Sequence, residues 1–358
     1  MLNFSNPARL WRVYGRSLLQ YGSPRKMLNA VQTELAYRRR TIDTRSRPYL
    51  LFLEANYTCN LRCPLCQRQT FEEARTDRAR LSTDHLDKVL DELGDYLYQC
   101  HIFGLGEPMM NWPLTRSIIE RVHARRIFTL VSTNCTLITE PMAADIMNSG
   151  LDYLVCAIDG MSQETYSKYR VGGSVEKALA ALRMLREAQK RSRNPAMIEW
   201  QYLVNRYNRH EVEQAKAYAA ELGVMIRFAE LGGVQWNEAL QREWLPAEGA
   251  GYDRARLQPG EVMHPYHCYW LWRGVVLNSN GQIARCPGYQ NTAMIGHVRD
   301  QSVMEVYNGP GSQRSRQLFQ KSEVPAGAFP QPCETCDHYQ REHGAPCGGS
   351  REPVAVPV

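Results

Sequence analysis

Three thiols stand in Cys59-Asn-Leu-Arg-Cys63-Pro-Leu-Cys66, a C-x3-C-x2-C spacing that lets one loop turn all three sulfurs toward a common point. Thiolates are soft ligands that suit iron–sulfur clusters and zinc. Three of them leave one iron of a cubane free for an exogenous ligand, and an open iron implies catalysis. The plainer alternative is a structural zinc loop. The chain has 11 Cys in all, a high number for a reducing compartment where structural disulfides do not persist, so metal binding is the first use to test.

A loop of this kind needs a scaffold, and the flanking pattern supplies one. From Tyr49 onward strand and helix alternate: YLLFLEANY, a helix near 83–97, CHIFGLG, a helix near 113–125, FTLVSTN and a helix near 140–149. YLVCAID, a helix near 174–190, MIEWQYLV, a helix near 210–222 and VMIRFAEL complete six units. Six such units predict a parallel sheet or barrel covered by helices, with its site at the C-terminal strand ends. The cysteine loop follows the first of those ends.

On this motif and its position the sequence resembles the radical SAM superfamily over about residues 49–231. The resemblance implies a partial (β/α)6 TIM-type barrel that binds a 4Fe-4S cluster through Cys59, Cys63 and Cys66, with S-adenosylmethionine on the open iron. Gly104-Leu105-Gly106-Glu107-Pro108 resembles the family segment that meets the methionine amino group. Ser132-Thr133-Asn134 and Asp159-Gly160 fall where the family approaches the ribose or methionine. Tyr166-Ser-Lys-Tyr169-Arg170 resembles a Tyr-x-x-Tyr-Arg segment whose Arg pairs with the SAM carboxylate. Each segment alone reads as an ordinary turn or helix cap; their order at successive strand ends makes the set. Leu65 departs from the aromatic usual before the last cysteine, so adenine packing there differs.

A second group, Cys268, Cys286, Cys333 and Cys336, follows a Gly- and Pro-rich stretch over 232–262. It includes a hairpin pattern, WRGVVLN and QIARC about Ser279-Asn280-Gly281, with helical signals near 302–320. This resembles the SPASM/twitch extension, which implies an auxiliary 4Fe-4S cluster with all four irons held by protein, two clusters in total; the alternative is a zinc ribbon. Cys100, Cys135 and Cys156 read as core residues. Cys347, in a Gly-rich tail, is a candidate hydrogen donor to a substrate radical. On the fifth strand Glu199 and Gln201 share a face, and with Glu54 they are candidates for holding a polar substrate.

The expected organisation is a basic helical extension over 1–48, the barrel over 49–231, a linker over 232–262 and the auxiliary-cluster domain and tail over 263–358. Composition is ordinary for a globular chain and excludes collagenous, disordered and coiled-coil classes. No apolar run suits a transmembrane helix and no signal-peptide core is present, which places the protein in the cytoplasm. The formal charge of +6 comes from the first 50 residues, where ten Lys/Arg face only Glu34 and Asp43. Apolar residues at helical spacing there (Leu10, Val13, Leu18; Met27, Leu28, Val31, Leu35) predict two helices that lie on the body or on an anionic surface. The arm is expected to be separable from catalysis.

The resemblance implies reductive cleavage of SAM to methionine and a 5′-deoxyadenosyl radical that abstracts a substrate hydrogen, with flavodoxin or ferredoxin as the external one-electron reductant. A small carbohydrate- or aminocyclitol-like substrate, oxidised or epimerised, is the leading expectation. A peptide maturase is the alternative, and a non-catalytic zinc or iron–sulfur protein with a basic nucleic-acid- or membrane-binding arm is the rival from another class. Replacing Cys59, Cys63 and Cys66 together by Ala is expected to abolish SAM cleavage while about four irons per chain remain in the second centre. Assay of 5′-deoxyadenosine and of iron content checks this, and product from the triple variant would remove the assignment.

Overall fold

The structure, a computed structural model, describes residues 11, 15–66, 68, 79–231, 238–245, 268–289, 294–320 and 333. Strands β1 (Leu50–Leu53), β2 (Gln99–Ile102), β3 (Phe128–Thr133), β4 (Tyr153–Ala157), β5 (Met197–Val204) and β6 (Met225–Glu230) pair in sequence order, every pair parallel. Strands β1, β2 and β4 are buried along their whole length, as strands covered on both faces must be. Helices α3 (Thr83–Leu93), α4 (Trp112–Ala124), α5 (Glu140–Asn148), α7 (Val175–Arg191) and α8 (Val212–Leu222) form the crossovers. A short helix not anticipated from the sequence, α6 (Gln163–Tyr169), starts on the Ser162 side chain and precedes α7. These are the units of the partial TIM-type barrel expected from the sequence pattern.

Alternation divides each strand. Leu51, Leu53, Ile102, Val131, Leu154, Trp200 and Tyr202 pack outward against the helices in one large core. Phe128, Leu130, Tyr153 and Val155 meet on the inner face, with Phe103, Met197 and Met225 beside them.

The hairpin of the C-terminal region is formed by β7 (Gly274–Leu277) and β8 (Gln282–Ala284), extended by β9 (Met294–His297). It does not stand apart. Strand β7 lies parallel to β1, with Leu50 opposite Gly274 and Leu53 opposite Leu277. One nine-stranded sheet results, in the order β6-β5-β4-β3-β2-β1-β7-β8-β9.

The N-terminal helices α1 (Arg16–Tyr21) and α2 (Pro24–Arg38) fold back onto the N-terminal ends of the barrel strands. Tyr21 donates its hydroxyl to Asp152 at 2.8 Å and sets its ring edge-on to Phe128. Tyr37 packs edge-on against Trp272, and Glu34 pairs with Arg273 at 2.5 Å. The buried side of α2 is polar, comprising Lys26, Asn29, Thr33 and Tyr37. Lys26 Nζ donates to the Arg126 carbonyl at 2.5 Å, and Asn29 both donates to and accepts from the Arg47 backbone at 2.9 and 2.8 Å. Burial, more than the nearby Arg126 charge, draws the Lys26 ammonium down to about 8. The arm is thus pinned by directional bonds to the barrel base.

Fully buried Arg316, in a C-terminal helix (Pro310–Gln317), locks arm and hairpin together. Its guanidinium donates to the Leu271 carbonyl at 2.9 Å and to the Ile42 carbonyl at 2.8 Å. Among the described residues no helix is long and apolar enough to cross a membrane.

Truncating Tyr21 to Ala removes a ring that is 4% exposed and is expected to cost about 3–5 kcal/mol. Tyr21→Phe, which keeps the ring but loses the hydroxyl's bonds to Asp152 and Gln20 and its contact with His123, is expected to cost about 1 kcal/mol. Urea unfolding midpoints of the two variants check both values; an unshifted midpoint for the Ala variant would show that the arm does not support the barrel.

Candidate functional site

Past Leu53 the chain leaves β1 through residues that are each tied down. Glu54, buried, accepts from the Ser279 hydroxyl at 2.5 Å, the Ser279 amide at 3.2 Å and the Leu105 amide at 3.4 Å. It joins β1 to the β7–β8 turn and to the loop after β2. Expected as a substrate contact, Glu54 is placed as a brace. Asn56 donates to the Glu107 carbonyl at 3.1 Å and accepts from the Thr58 amide and hydroxyl at 3.1 and 3.0 Å. Gly106 passes so close that a Cβ there would stand 1.8 Å from the Asn56 carbonyl oxygen. Only glycine permits this lacing of Gly104-Leu-Gly106-Glu107 to the cysteine loop.

The three thiols follow in an apolar setting made by Leu61, Tyr169, Leu231 and Trp244. Cys59 Sγ accepts from the Leu61 amide at 3.4 Å, and Cys63 Sγ from Arg170 Nη1 at 3.8 Å. Burial pushes the Cys59 thiol up to about 11. It raises Cys63 as well, against the pull of Arg170. Among the described residues no three ligating side chains crowd around one ion position. A cubane does not ask for that, because each thiolate takes a separate iron. Three thiols on one loop, two of them already accepting from fixed donors, fit such a cluster.

Arg170 caps the loop from the C-terminal end of α6. Its Nε donates to Asp159 Oδ2 at 2.6 Å, and the other carboxylate oxygen accepts from the Leu203 amide at 2.6 Å. Asp159 is fully buried, and burial raises its carboxyl despite Arg170. One guanidinium thus connects the end of β4 to the cysteine loop. Glu107, 4% exposed, accepts from the Thr133 hydroxyl at 2.7 Å, the Asn134 amide at 2.8 Å and the Met109 amide at 3.0 Å. Burial nonetheless raises its carboxyl. Asn134 Nδ2 reaches Asn60 Oδ1 at 3.0 Å within the cysteine loop. Ser132 is the partly exposed residue of β3, on the inner face with Phe128 and Leu130. Of the seven residues expected around SAM, six therefore lie at or just past the ends of β2, β3 and β4, and Arg170 reaches the cysteine loop from the end of α6.

Glu199 and Gln201 share the inner face of β5 and meet through a residue that sequence reasoning missed. Arg227 on β6 donates Nε to Glu199 Oε1 at 2.8 Å and Nη2 to Gln201 Oε1. Tyr153 donates its hydroxyl to Glu199 Oε2 at 2.7 Å. His101 and Gln99 add a 2.9 Å contact on β2. The available signal was the single arginine of VMIRFAEL, two residues from Met225 and so on the inner face.

In the C-terminal region Cys268 and Cys333, both buried, share an apolar cluster with Trp270, Trp272, Ala284 and Phe319. Cys286 Sγ accepts from the Gly288 amide at 3.3 Å. Arg285, 7% exposed, lies within electrostatic reach of Cys333 and Cys286. Its Nη1 donates to the Gly311 carbonyl at 2.5 Å, while its buried Nε has no partner among the described residues. A buried cation beside two thiols, held by neutral acceptors, fits an anionic thiolate-bound centre. Cys336 and Cys347 lie outside the described residues. Cys100, Cys135 and Cys156 are fully buried in the main core, as expected.

Residues 53–199 match the sequence model of the radical SAM superfamily, and residues 268–337 match that of the SPASM iron–sulfur cluster-binding domain. A PqqA peptide cyclase from Granulibacter bethesdensis is 24% identical over 325 residues, 83% of this chain and 82% of its own. Mycofactocin maturase MftC from Mycolicibacterium smegmatis is 27% identical over 218 residues, 56% of this chain and 53% of its own. Among solved structures, Streptococcus suis SuiB bound to S-adenosylmethionine superposes with a TM-score of 0.58 at 16% identity, covering 82% of this chain and 73% of that one.

Removing one member of the Asp159–Arg170 pair strands the other. Arg170→Gln is expected to lower stability by about 3–5 kcal/mol and to reduce iron bound by the three-thiol loop. Adding Asp159→Asn is expected to recover part of the stability. Urea midpoints and iron content of both variants check this; a fully additive double variant would show that the two groups do not act as a pair.

Proposed function

Because the chain belongs to the radical SAM superfamily and carries a C-terminal SPASM iron–sulfur domain, we propose that this radical SAM enzyme is a maturase acting on a peptide. The observation that carries the reading is the end-to-end similarity to a PqqA peptide cyclase, over more than four fifths of both chains. Mycofactocin maturase supports it over a shorter stretch. The comparisons thus favour the peptide alternative over the small carbohydrate- or aminocyclitol-like substrate.

The family implies a 4Fe-4S cluster with S-adenosylmethionine and one or more auxiliary clusters. When bound, these supply a 5′-deoxyadenosyl radical that takes a hydrogen atom from carbon. In our reading Cys59, Cys63 and Cys66 hold the catalytic cluster, and Cys268, Cys286, Cys333 and Cys336 hold an auxiliary one. Arg170 places positive charge beside the thiolates. The Gly104–Glu107 loop, Ser132, Asn134 and Asp159 shape the SAM pocket, with Glu107 fixing the loop after β2 against the end of β3 so that the pocket is preformed. Arg227, oriented by Glu199 and Gln201, anchors a polar group of the substrate on the inner face. Radical SAM enzymes need an external one-electron reductant, and flavodoxin or ferredoxin is the proposed donor. Cys347 remains the candidate hydrogen donor.

A small polar substrate is the second reading, favoured by that same inward set of Arg227, Glu199, Gln201 and Tyr153. Deuterium transfer separates the two. Reconstituted anaerobically, the enzyme is offered either short synthetic peptides deuterated at side-chain carbons or a panel of deuterated aminocyclitols and hexoses. Deuterium is expected in 5′-deoxyadenosine from a peptide, which becomes lighter by two hydrogens if oxidised or crosslinked. Transfer from the small molecules alone would replace the maturase reading by the second one. No 5′-deoxyadenosine under any condition would remove both.

A further inference from the structure

Exposed apolar side chains are concentrated in one place. Of the ten large hydrophobics exposed among the described residues, Trp11, Leu18, Leu19, Met27, Leu28, Val31 and Leu35 belong to the N-terminal arm. On α2 the last four form a single stripe, at one, three and four spacing. An amphipathic helix on a protein body ordinarily turns its apolar stripe inward. Here the polar stripe of Lys26, Asn29 and Thr33 faces the barrel, held by the bonds to Arg126 and Arg47, and the apolar stripe faces out.

The charges around the stripe have one sign. The other exposed residues of α1 and α2 are Arg16, Gln20, Pro24, Arg25, Gln32 and Arg38. None is acidic, and Glu34 is turned toward Arg273. At the start of α2 the surface opens into a cleft of about 250 Å³ lined by Arg25, Lys26, Arg125, Arg126 and Asp95; Arg25 pairs with Asp95 and Arg125 with Asp91, which leaves Lys26 and Arg126, each bonded to a neutral carbonyl, as its uncompensated cations. Lys26 is 4% exposed and spends its ammonium on a neutral carbonyl. An apolar stripe that begins one residue beyond a cationic cleft matches the two halves of an anionic phospholipid, phosphate and acyl chain.

We propose that α1 and α2 form a peripheral docking surface for bilayers rich in anionic phospholipid, with the apolar stripe in the acyl boundary and the cleft on lipid phosphates. A second copy of the chain fits poorly. Across a two-fold interface the stripe would bring Arg16 and Arg38 of each copy together, and α1 and α2 expose no acidic residue to answer them. The arm sits at the N-terminal strand ends beside Phe128 and Asp152, whereas the cysteine loop leaves the C-terminal end of β1. Docking by this face therefore keeps the mouth of the barrel turned away from the lipid.

Cosedimentation of the full reconstituted chain with vesicles tests this, comparing phosphatidylcholine alone with phosphatidylcholine containing phosphatidylglycerol. Partition onto the anionic vesicles is expected to be at least about tenfold stronger and to fall as salt is raised. Leu28→Glu/Val31→Glu, at two exposed positions, is expected to abolish binding while leaving the unfolding midpoint and the rate of SAM cleavage unchanged. No binding, equal binding to both vesicle types, or binding retained by the double variant would each overturn the proposal. So would a dimer in solution that the double variant dissociates, because a second copy would then cover the face.

Discussion

Charge burial at the end of β1 is the constraint around which the barrel mouth is arranged. Three thiols sit against apolar walls, and at Cys59 and Cys63 burial disfavours the anionic form that binds iron. A cation must therefore be brought in. Arg170 is that cation, and it is itself buried, so it needs a carboxylate to hold it. Asp159 fills that role and is fixed in turn by the Leu203 amide of β5. The chain from thiol to arginine to aspartate to backbone links the cysteine loop, α6, β4 and β5, so local disorder in any of them would be felt at the sulfurs. The C-terminal thiols repeat half of this logic: Arg285 is buried beside Cys286 and Cys333, but its bonded partners are a carbonyl and a hydroxyl.

Carboxylates do different work past the strand ends and inside the barrel. Glu54 and Glu107 are consumed by protein donors and hold loops to one another. Glu199 is also buried, but it faces the lumen and orients a guanidinium rather than a backbone. Burial alone does not separate these roles; the partners do.

Much of this was legible in the sequence because its signals are local. Cysteine spacing, the strand and helix alternation and the turn segments after β2, β3 and β4 each lie within a few residues, and their positions in the fold agree with the expectation. What escaped depends on partners far apart in the chain. Arg227 becomes recognisable only when β6 is laid beside β5. The parallel pairing of β7 with β1 spans more than 200 residues, and nothing in WRGVVLN states which strand it will join. Helix α2 was legible as a helix, but not which face it buries, because hydrogen bonds from Lys26, Asn29 and Thr33 outweighed the apolar pattern. The bracing contact of Glu54 escaped for the same reason: its partner, Ser279, lies 225 positions away.

Strand β1 is hydrogen-bonded to β2 on one edge and to β7 on the other. The loop with Cys59 and the hairpin with Cys286 are therefore anchored to a single ladder with no hinge between them. Electron tunnelling slows steeply with separation, so a pair of redox centres held by these two sets of thiols would exchange electrons across a gap set by sheet geometry. Current between them would be regulated by driving force and reorganisation, not by the swing of one domain against another.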